Sequence, residues 1–283
     1  MKAIFSLFKL RIGIVIAWTA LAAVSMTPGP ALPAWQMLVL GLAVLIASAS
    51  AGAFNQYVEQ DIDRRMLRTR DRPFVTGQLV HDARWMWTIM ALLVGAVAAA
   101  AYALNPLTAL YVFLGAFFYA IVYTVWLKRR TWLNIVVGGL AGSFAVLAGA
   151  AAAGDAFDPQ PLLLAAVLFL WTPSHFWSLA IAYREDYVAA GVPMLPAVIG
   201  NVRTARVIFG NTAALVSVSL LPVFYGAGWI YLAGASIGGG WFIWKSYRLM
   251  RRPYRREAMK NFFASLAQLS LLLSDAMLEA ALR

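Results

Sequence analysis

Asn55, Glu59 and Asp63 recur every fourth residue. On a helix turning about 100° per residue such positions drift by only about 40° per step, which stacks three oxygen ligands on one face. Magnesium is a hard cation that takes carboxylate and amide oxygens, and it commonly binds through one or two carboxylates together with substrate phosphates. Directly after Asp63 come Arg64, Arg65, Arg68, Arg70 and Arg72, whose guanidinium forks match phosphate oxygens. Four of the 12 acidic residues and five of the 23 basic ones fall between Asn55 and Pro73, so charge gathers here in a chain that elsewhere avoids it. Carboxylates for a metal beside cations for phosphate describe a diphosphate site. A solvated helix end with scattered charges fits the spacing as well. Asp61 lies on another face and is expected to pair with Arg65, four residues on.

A second polar stretch runs Tyr183-Arg184-Glu185-Asp186-Tyr187 and on to Gly191, Pro193 and Pro196, which end a helix and turn the chain. Asp186 supplies a further carboxylate, and it joins Asn55, Glu59 and Asp63 as a candidate catalytic and metal-binding residue. Lys128 and Arg129, in the basic run Lys128-Arg129-Arg130, join Arg68 and Arg72 as candidate diphosphate contacts. His175 follows Trp171-Thr172-Pro173-Ser174 inside an apolar run, where an ionisable side chain is costly. Pro173 would free backbone carbonyls toward a cavity. On position alone His175 is a base, a metal ligand or a hydrogen-bonded core residue. His81, beside Asp82 and Arg84, reads as surface.

Composition says which elements must hold these residues. The 283-residue chain is 62% hydrophobic and 12% charged, with mean hydropathy +0.74; a soluble surface needs about twice that charge. The fold expected is all-α, a polytopic integral membrane bundle forming one domain over residues 1–283. Apolar runs near 12–30, 36–54, 85–104, 107–126, 132–153, 161–181, 206–225, 228–245 and 262–280 can each cross a bilayer core, which predicts about nine transmembrane helices. Lys2, Lys9 and Arg11 flank the first run, and with no cleavage site after it the run reads as a retained span.

With the N-terminus in the cytoplasm, 22 of the 23 Lys and Arg fall on the cytoplasmic side and only Arg283 falls outside. The loops bearing Asn55 to Arg72, Lys128 and Asp186 then share that face and can build one site. The basic segment from Lys245 to Lys260 reads as an orientation signal attracted to anionic lipid. Absence of cysteine excludes disulfides, zinc–thiolate and iron–sulfur sites. The basic residues lie in short clusters between apolar runs rather than along one soluble face, which argues against nucleic acid as a partner.

Asn55-Gln-Tyr-Val-Glu-Gln-Asp-Ile-Asp63, Met66 to Pro73, Tyr123 to Gly139, Trp171 to Trp177, Arg184 to Tyr187 and Gly191-Val-Pro-Met-Leu-Pro196 together resemble the intramembrane prenyltransferases of the UbiA superfamily, and within it the heme branch. Two features depart from that pattern. The usual second motif carries two aspartates four apart, whereas Asp186 is followed at that spacing by Ala190, and 141–149 lacks the prolines expected in the heme branch. The resemblance implies a UbiA-type bundle in the cytoplasmic (inner) membrane, and the charge assignment puts its C-terminus outside. It implies farnesyl diphosphate and heme B as substrates, Mg2+ as cofactor, and farnesyl addition with water at a heme vinyl group. Asn55, Glu59, Asp63 and Asp186 would hold metal, Arg68, Arg72, Lys128 and Arg129 would hold diphosphate, and His175 would touch heme. Membrane lipid surrounds such an enzyme, and a heme A synthase or an oxidase assembly factor would be its partner. An apolar chamber lined by residues such as Phe117, Phe118, Trp126 and Phe169 would shelter an allylic cation. Prenylation of an aromatic quinone precursor or a chlorophyllide is the alternative within the class, and transport of an anionic substrate the alternative outside it. Carboxylates clustered at one membrane face rather than at the midplane favour chemistry over transport.

Overall fold

The computed structural model describes residues 2–282, and every regular element among them is helical. Arg283, the one basic residue assigned to the outer side, lies outside the described residues. The chain begins with α1 (Lys2–Leu7), α2 (Leu10–Met26) and α3 (Ala34–Val58), followed by the short α4 (Gln60–Arg65) and α5 (Pro73–Thr76). Next come α6 (Ala83–Ala103) and α7 (Pro106–Phe117), the latter continuing as a π-helix over Phe118–Leu127. Then follow α8 (Asn134–Gly138), α9 (Leu140–Ala153), α10 (Pro159–Ala182), α11 (Arg184–Ala189) and α12 (Leu195–Leu220). After a 3-10 turn, α13 (Trp229–Arg251) and α14 (Arg255–Ala281) complete the fold.

The long helices pack in chain order, α2 on α3, α3 on α6, α6 on α7, α7 on α9, α9 on α10, and so on through α12 and α13 to α14. α14 then returns to α2, which closes a ring. Contacts of α2 with α9 and of α10 with α14 draw the ring in across its middle. Lipid tails are as apolar as leucine, so close backbone approach through small residues drives such packing. Ala17, Ala20, Ala43, Ala47, Ala51, Ala145 and Ala148 accordingly share one buried cluster. α2 and α9 approach backbone to backbone, where a Cβ on Gly149 would collide with the Ala20 carbonyl.

Among the described residues seven helices are long and apolar enough to cross a membrane: those at 34–58, 83–103, 106–127, 134–153, 159–182, 195–225 and 255–281. The expected count of nine rests on two further helices in predicted positions. Of these, α2 has only 17 residues, and α13 ends in the charged Lys245 to Arg251. Aromatic side chains stand exposed at the ends of the bundle, among them Tyr102, Phe224 and Trp229, as expected where a helix meets the headgroup layer. Phe117 and Trp126 are also exposed, so they face outward and do not line an interior chamber.

Candidate active site

The first acidic stretch is not one unbroken helix. Glu59 is the junction between α3 and α4, at φ −105° and ψ 17°. The four-residue bonding nevertheless persists through it, because Glu59 N donates to Asn55 O (3.2 Å) and Asp63 N donates to Glu59 O (2.9 Å). The three side chains therefore stay stacked, and all three are buried. Each is met by its own cation. Lys9 Nζ donates to Asn55 Oδ1 (2.7 Å), Lys128 Nζ to Glu59 Oε2 (2.5 Å) and an Arg72 guanidinium nitrogen to Asp63 Oδ2 (2.6 Å). The Asn55 amide is oriented from behind by Nδ2, which donates to Thr124 Oγ1 at 3.1 Å.

Local sequence explains how the cations arrive. Arg72 returns to Asp63 because Met66 to Arg72 forms a tight turn, held where Thr69 Oγ1 donates to Asp63 O; Pro73, with its preset φ, then starts α5. Lys128 is placed by the π-helix, in which its N–H reaches back five residues to Tyr123 O. On an α-helix of about 3.6 residues per turn, positions nine apart are half a turn out of phase. The wider π winding brings Tyr119 and Lys128 to the same side, and short π segments recur at functional sites. Lys128 also lies against the Tyr123 ring, 5.7 Å from its centroid.

The second polar stretch meets the first. Asp186 on α11 is buried, and its Oδ2 accepts from the Arg68 backbone N–H at 3.3 Å. The Arg68 side chain hydrogen-bonds Tyr187; burial raises the pKa of that hydroxyl, and Arg68 opposes the rise. Asp186 thus borders the cluster through the Arg68 backbone and is not itself paired with a side-chain cation in it.

One expected pairing changes. Asp61 pairs with Arg129 rather than Arg65, through two bonds of 2.8 and 2.7 Å. That hydrogen bond holds the Asp61 carboxyl below its ordinary pKa. Arg129 is consequently engaged at the exposed rim, with 45% of its side chain accessible. His175 is buried in the bundle between α10 and α14, sandwiched between the Trp171 and Phe262 rings at 4.2 Å each, with Nδ1 on Ser265 Oγ at 2.7 Å. It stands seven residues before the end of α10, about 10 Å along the axis, apart from the acidic cluster. One turn away from Pro173 the Leu170 carbonyl accepts from Asn211 Nδ2 at 2.6 Å. His81 is exposed and stacked on Tyr57, as expected for a surface residue.

Lys9 is the residue that the sequence pattern missed, since flanking positive charge at a first span reads as a topology signal. Burial pulls its amine well below the ordinary lysine pKa, Arg72 and Lys128 reinforce the fall, and Glu59 and Asp63 oppose it. An anion placed among these cations would oppose that fall.

The donor set fits a magnesium ion shared with a substrate. Glu59 Oε1 is buried without a hydrogen-bond partner, an acceptor that a cation would satisfy. Among the described residues no group of three or more His, Cys, Asp and Glu is assembled to hold a metal unaided. One or two carboxylates, an amide oxygen and substrate oxygens would complete the coordination, the usual pattern for magnesium. Clefts of about 350 and 290 Å3 lie elsewhere, the first between α13 and α14 and the second beside Met26, Gln160 and Glu279. The acidic cluster is instead closed on its own cations.

A model of the UbiA prenyltransferase family matches residues 16–271. The chain belongs to the UbiA prenyltransferase family. It is 58% identical over 279 residues to protoheme IX farnesyltransferase 2 of Paramagnetospirillum magneticum, covering 99% of this chain and 97% of that one. It is 46% identical over 267 residues to protoheme IX farnesyltransferase 1 of the same organism, covering 94% of each. Among solved structures, a digeranylgeranylglyceryl phosphate synthase superposes with TM-score 0.81 at 17% identity, over 100% of this chain and 99% of that one. A UbiA homologue from Archaeoglobus fulgidus bound to DMAPP and Mg2+ superposes with TM-score 0.71 at 18% identity, over 94% and 99%. The ring of helices is therefore the UbiA fold, and this chain is a membrane-embedded prenyltransferase.

Proposed function

We propose that this UbiA enzyme transfers the farnesyl group of farnesyl diphosphate to a vinyl group of heme B, with addition of water, giving heme O and diphosphate. The observation that carries this reading is near full-length identity of 58% and 46% to two proteins named protoheme IX farnesyltransferase. The allylic carbon–oxygen bond breaks with both electrons leaving on diphosphate. The vinyl terminal carbon attacks the farnesyl cation, and water adds at the adjacent carbon and loses a proton.

Asn55, Glu59 and Asp63 would hold Mg2+, with Asp186 bordering them. Magnesium would supply Lewis-acid stabilisation of the leaving diphosphate. Arg72 and Lys128 release Asp63 and Glu59 and turn to phosphate oxygens, with Arg68 beside them, so that fixed positive charge meets the negative charge as it develops. Arg129, forked onto Asp61, serves at the rim unless that pair opens. The apolar helices exclude water from the allylic cation until the vinyl carbon has attacked. His175 has both ring faces covered and Nδ1 engaged, which leaves Nε2 as the nitrogen able to approach heme. The working unit is one domain over 1–283 in the cytoplasmic membrane, with the N-terminus and the site in the cytoplasm and the C-terminus outside. A heme A synthase or an oxidase assembly factor would take the product.

Membranes carrying the protein, incubated with heme B, farnesyl diphosphate and Mg2+, should yield a less polar heme heavier by one farnesyl group and one hydroxyl. Unmodified heme, with mass gained instead on 4-hydroxybenzoate, would refute the substrate assignment. The chain has no cysteine, so single cysteines at Asp71 and Phe157 report orientation. An impermeant maleimide applied to intact cells should label the second and spare the first.

A further inference from the structure

Lys9 has a place in this site that its position in the sequence does not foretell. It sits in the turn between α1 and α2 with φ 48° and ψ 40°, the one non-glycine residue at positive φ among those described. Side-chain-bearing residues persist there when surrounding structure over-determines them, often at functional sites. Two devices on α3 do so. Gln56, next to Asn55, clamps the turn by donating Nε2 to the carbonyls of Ser6 (2.7 Å) and Leu7 (3.1 Å). Gly52, one turn earlier, leaves a lane for the lysine stem, since a Cβ there would lie 3.3 Å from Lys9 Cδ. The amine emerges between Asn55 Oδ1 (2.7 Å) and the Tyr119 hydroxyl (2.8 Å).

We infer that Lys9 is a further diphosphate-binding residue that also stands in for the metal at Asn55, occupying the amide oxygen until metal and diphosphate arrive together and then passing to a phosphate oxygen. The inference rests on Asn55 being a metal ligand, as read above. It follows from charge. A divalent ion at Asn55 and an amine on the same oxygen repel, so metal alone must displace Lys9 with nothing to receive it. Diphosphate supplies the acceptor, as it does for Lys128 leaving Glu59 and Arg72 leaving Asp63. Metal and diphosphate therefore bind with positive coupling, and reciprocity requires each to tighten the other by the same factor.

The test measures Mn2+ binding by electron paramagnetic resonance on the whole protein in nanodiscs, with and without inorganic diphosphate. Wild type should bind Mn2+ weakly alone and about 100-fold more tightly with diphosphate. Lys9→Met should bind Mn2+ alone about three- to tenfold more tightly than wild type, yet bind diphosphate about tenfold more weakly, while Lys9→Arg keeps the coupling. A purely structural role would not tighten metal binding, so a Lys9→Met protein whose Mn2+ affinity is unchanged or lower overturns the inference. Should Lys9→Met fail to fold, Lys9→Gln, which removes the charge and keeps a polar stem, decides instead: it should tighten Mn2+ alone in the same sense, and an unchanged affinity there is equally fatal. Wild type that binds no Mn2+ even with diphosphate removes the metal reading and Lys9's role together. Coupled binding without heme O production removes only the substrate reading.

Discussion

At one end of the bundle Asn55, Glu59 and Asp63 accept from Lys9, Lys128 and Arg72, three long side chains that can rotate away. At the other end the polar groups hold backbone. Glu279 accepts from the amides of Gly228 and Tyr231 and caps α13. Asn105 accepts from Thr108 N and donates to Ala151 O, both at 2.8 Å, and Gln160 donates to Tyr225 O at 2.6 Å. A backbone partner at a helix end cannot leave without unwinding the turn it belongs to, whereas a lysine or arginine leaves by changing rotamers. Both ends give buried polar groups partners, but only at the first are they side-chain cations that a substrate can replace. Exchangeable partners, rather than the mere presence of charge, separate the site from the scaffold.

The largest effect expected from breaking this contrast is at Asp63. Asp63→Ala should lower magnesium-dependent turnover by about 10^3-fold, by analogy with loss of a group that stabilises transition-state charge, while the protein still inserts and folds. More than a few per cent residual activity in a heme-product assay would remove Asp63 from the metal role. Lys128→Met should come next, because it leaves Glu59 buried and unpaired. A stability loss on the order of 3 kcal/mol, read by thermal unfolding in detergent, should be partly recovered by Mg2+ with diphosphate. No recovery would mean that the pair is scaffold. At the opposite end, Glu279→Gln should cost about 1–2 kcal/mol of stability through a lost charged cap yet leave turnover per folded protein within twofold, and a tenfold loss would erase the distinction between the ends. The smallest effect is expected at Asp61→Asn, since an exposed ion pair is worth roughly 0–1 kcal/mol and Asp61 is 54% accessible. An unfolding shift beyond that range would place the Asp61–Arg129 pair among the structural contacts.

Much of the site was legible beforehand because it is local. The spacing of Asn55, Glu59 and Asp63 is a property of helical winding, and it survives the break at Glu59 because the four-residue backbone bonds do. Arg72 follows within a single turn of chain. What was illegible depends on angles between helices. Lys128 reaches Glu59 across 69 residues, and nothing in a row of basic residues says that Lys128 turns inward while Arg129 turns out to Asp61. The π-helical winding of Phe118–Leu127 makes that choice, and an apolar run carries no mark of it. Asp61 took Arg129 over Arg65 for the same reason, since a bidentate partner from another element was nearer in space than the neighbour along the helix.

By itself, then, the sequence determined the solvent, the helical class, the charged face and the three stacked oxygens, because hydropathy, positive-charge bias and the 3.6-residue period act residue by residue along the chain. The tertiary structure alone decided which cation meets which oxygen and that Lys9 is one of them. It also joined Asp186 to the cluster through the Arg68 amide and sealed His175 between two aromatic rings. Those choices follow from a closed ring of helices, in which the pairing of two side chains depends on the rotation of each helix about its own axis.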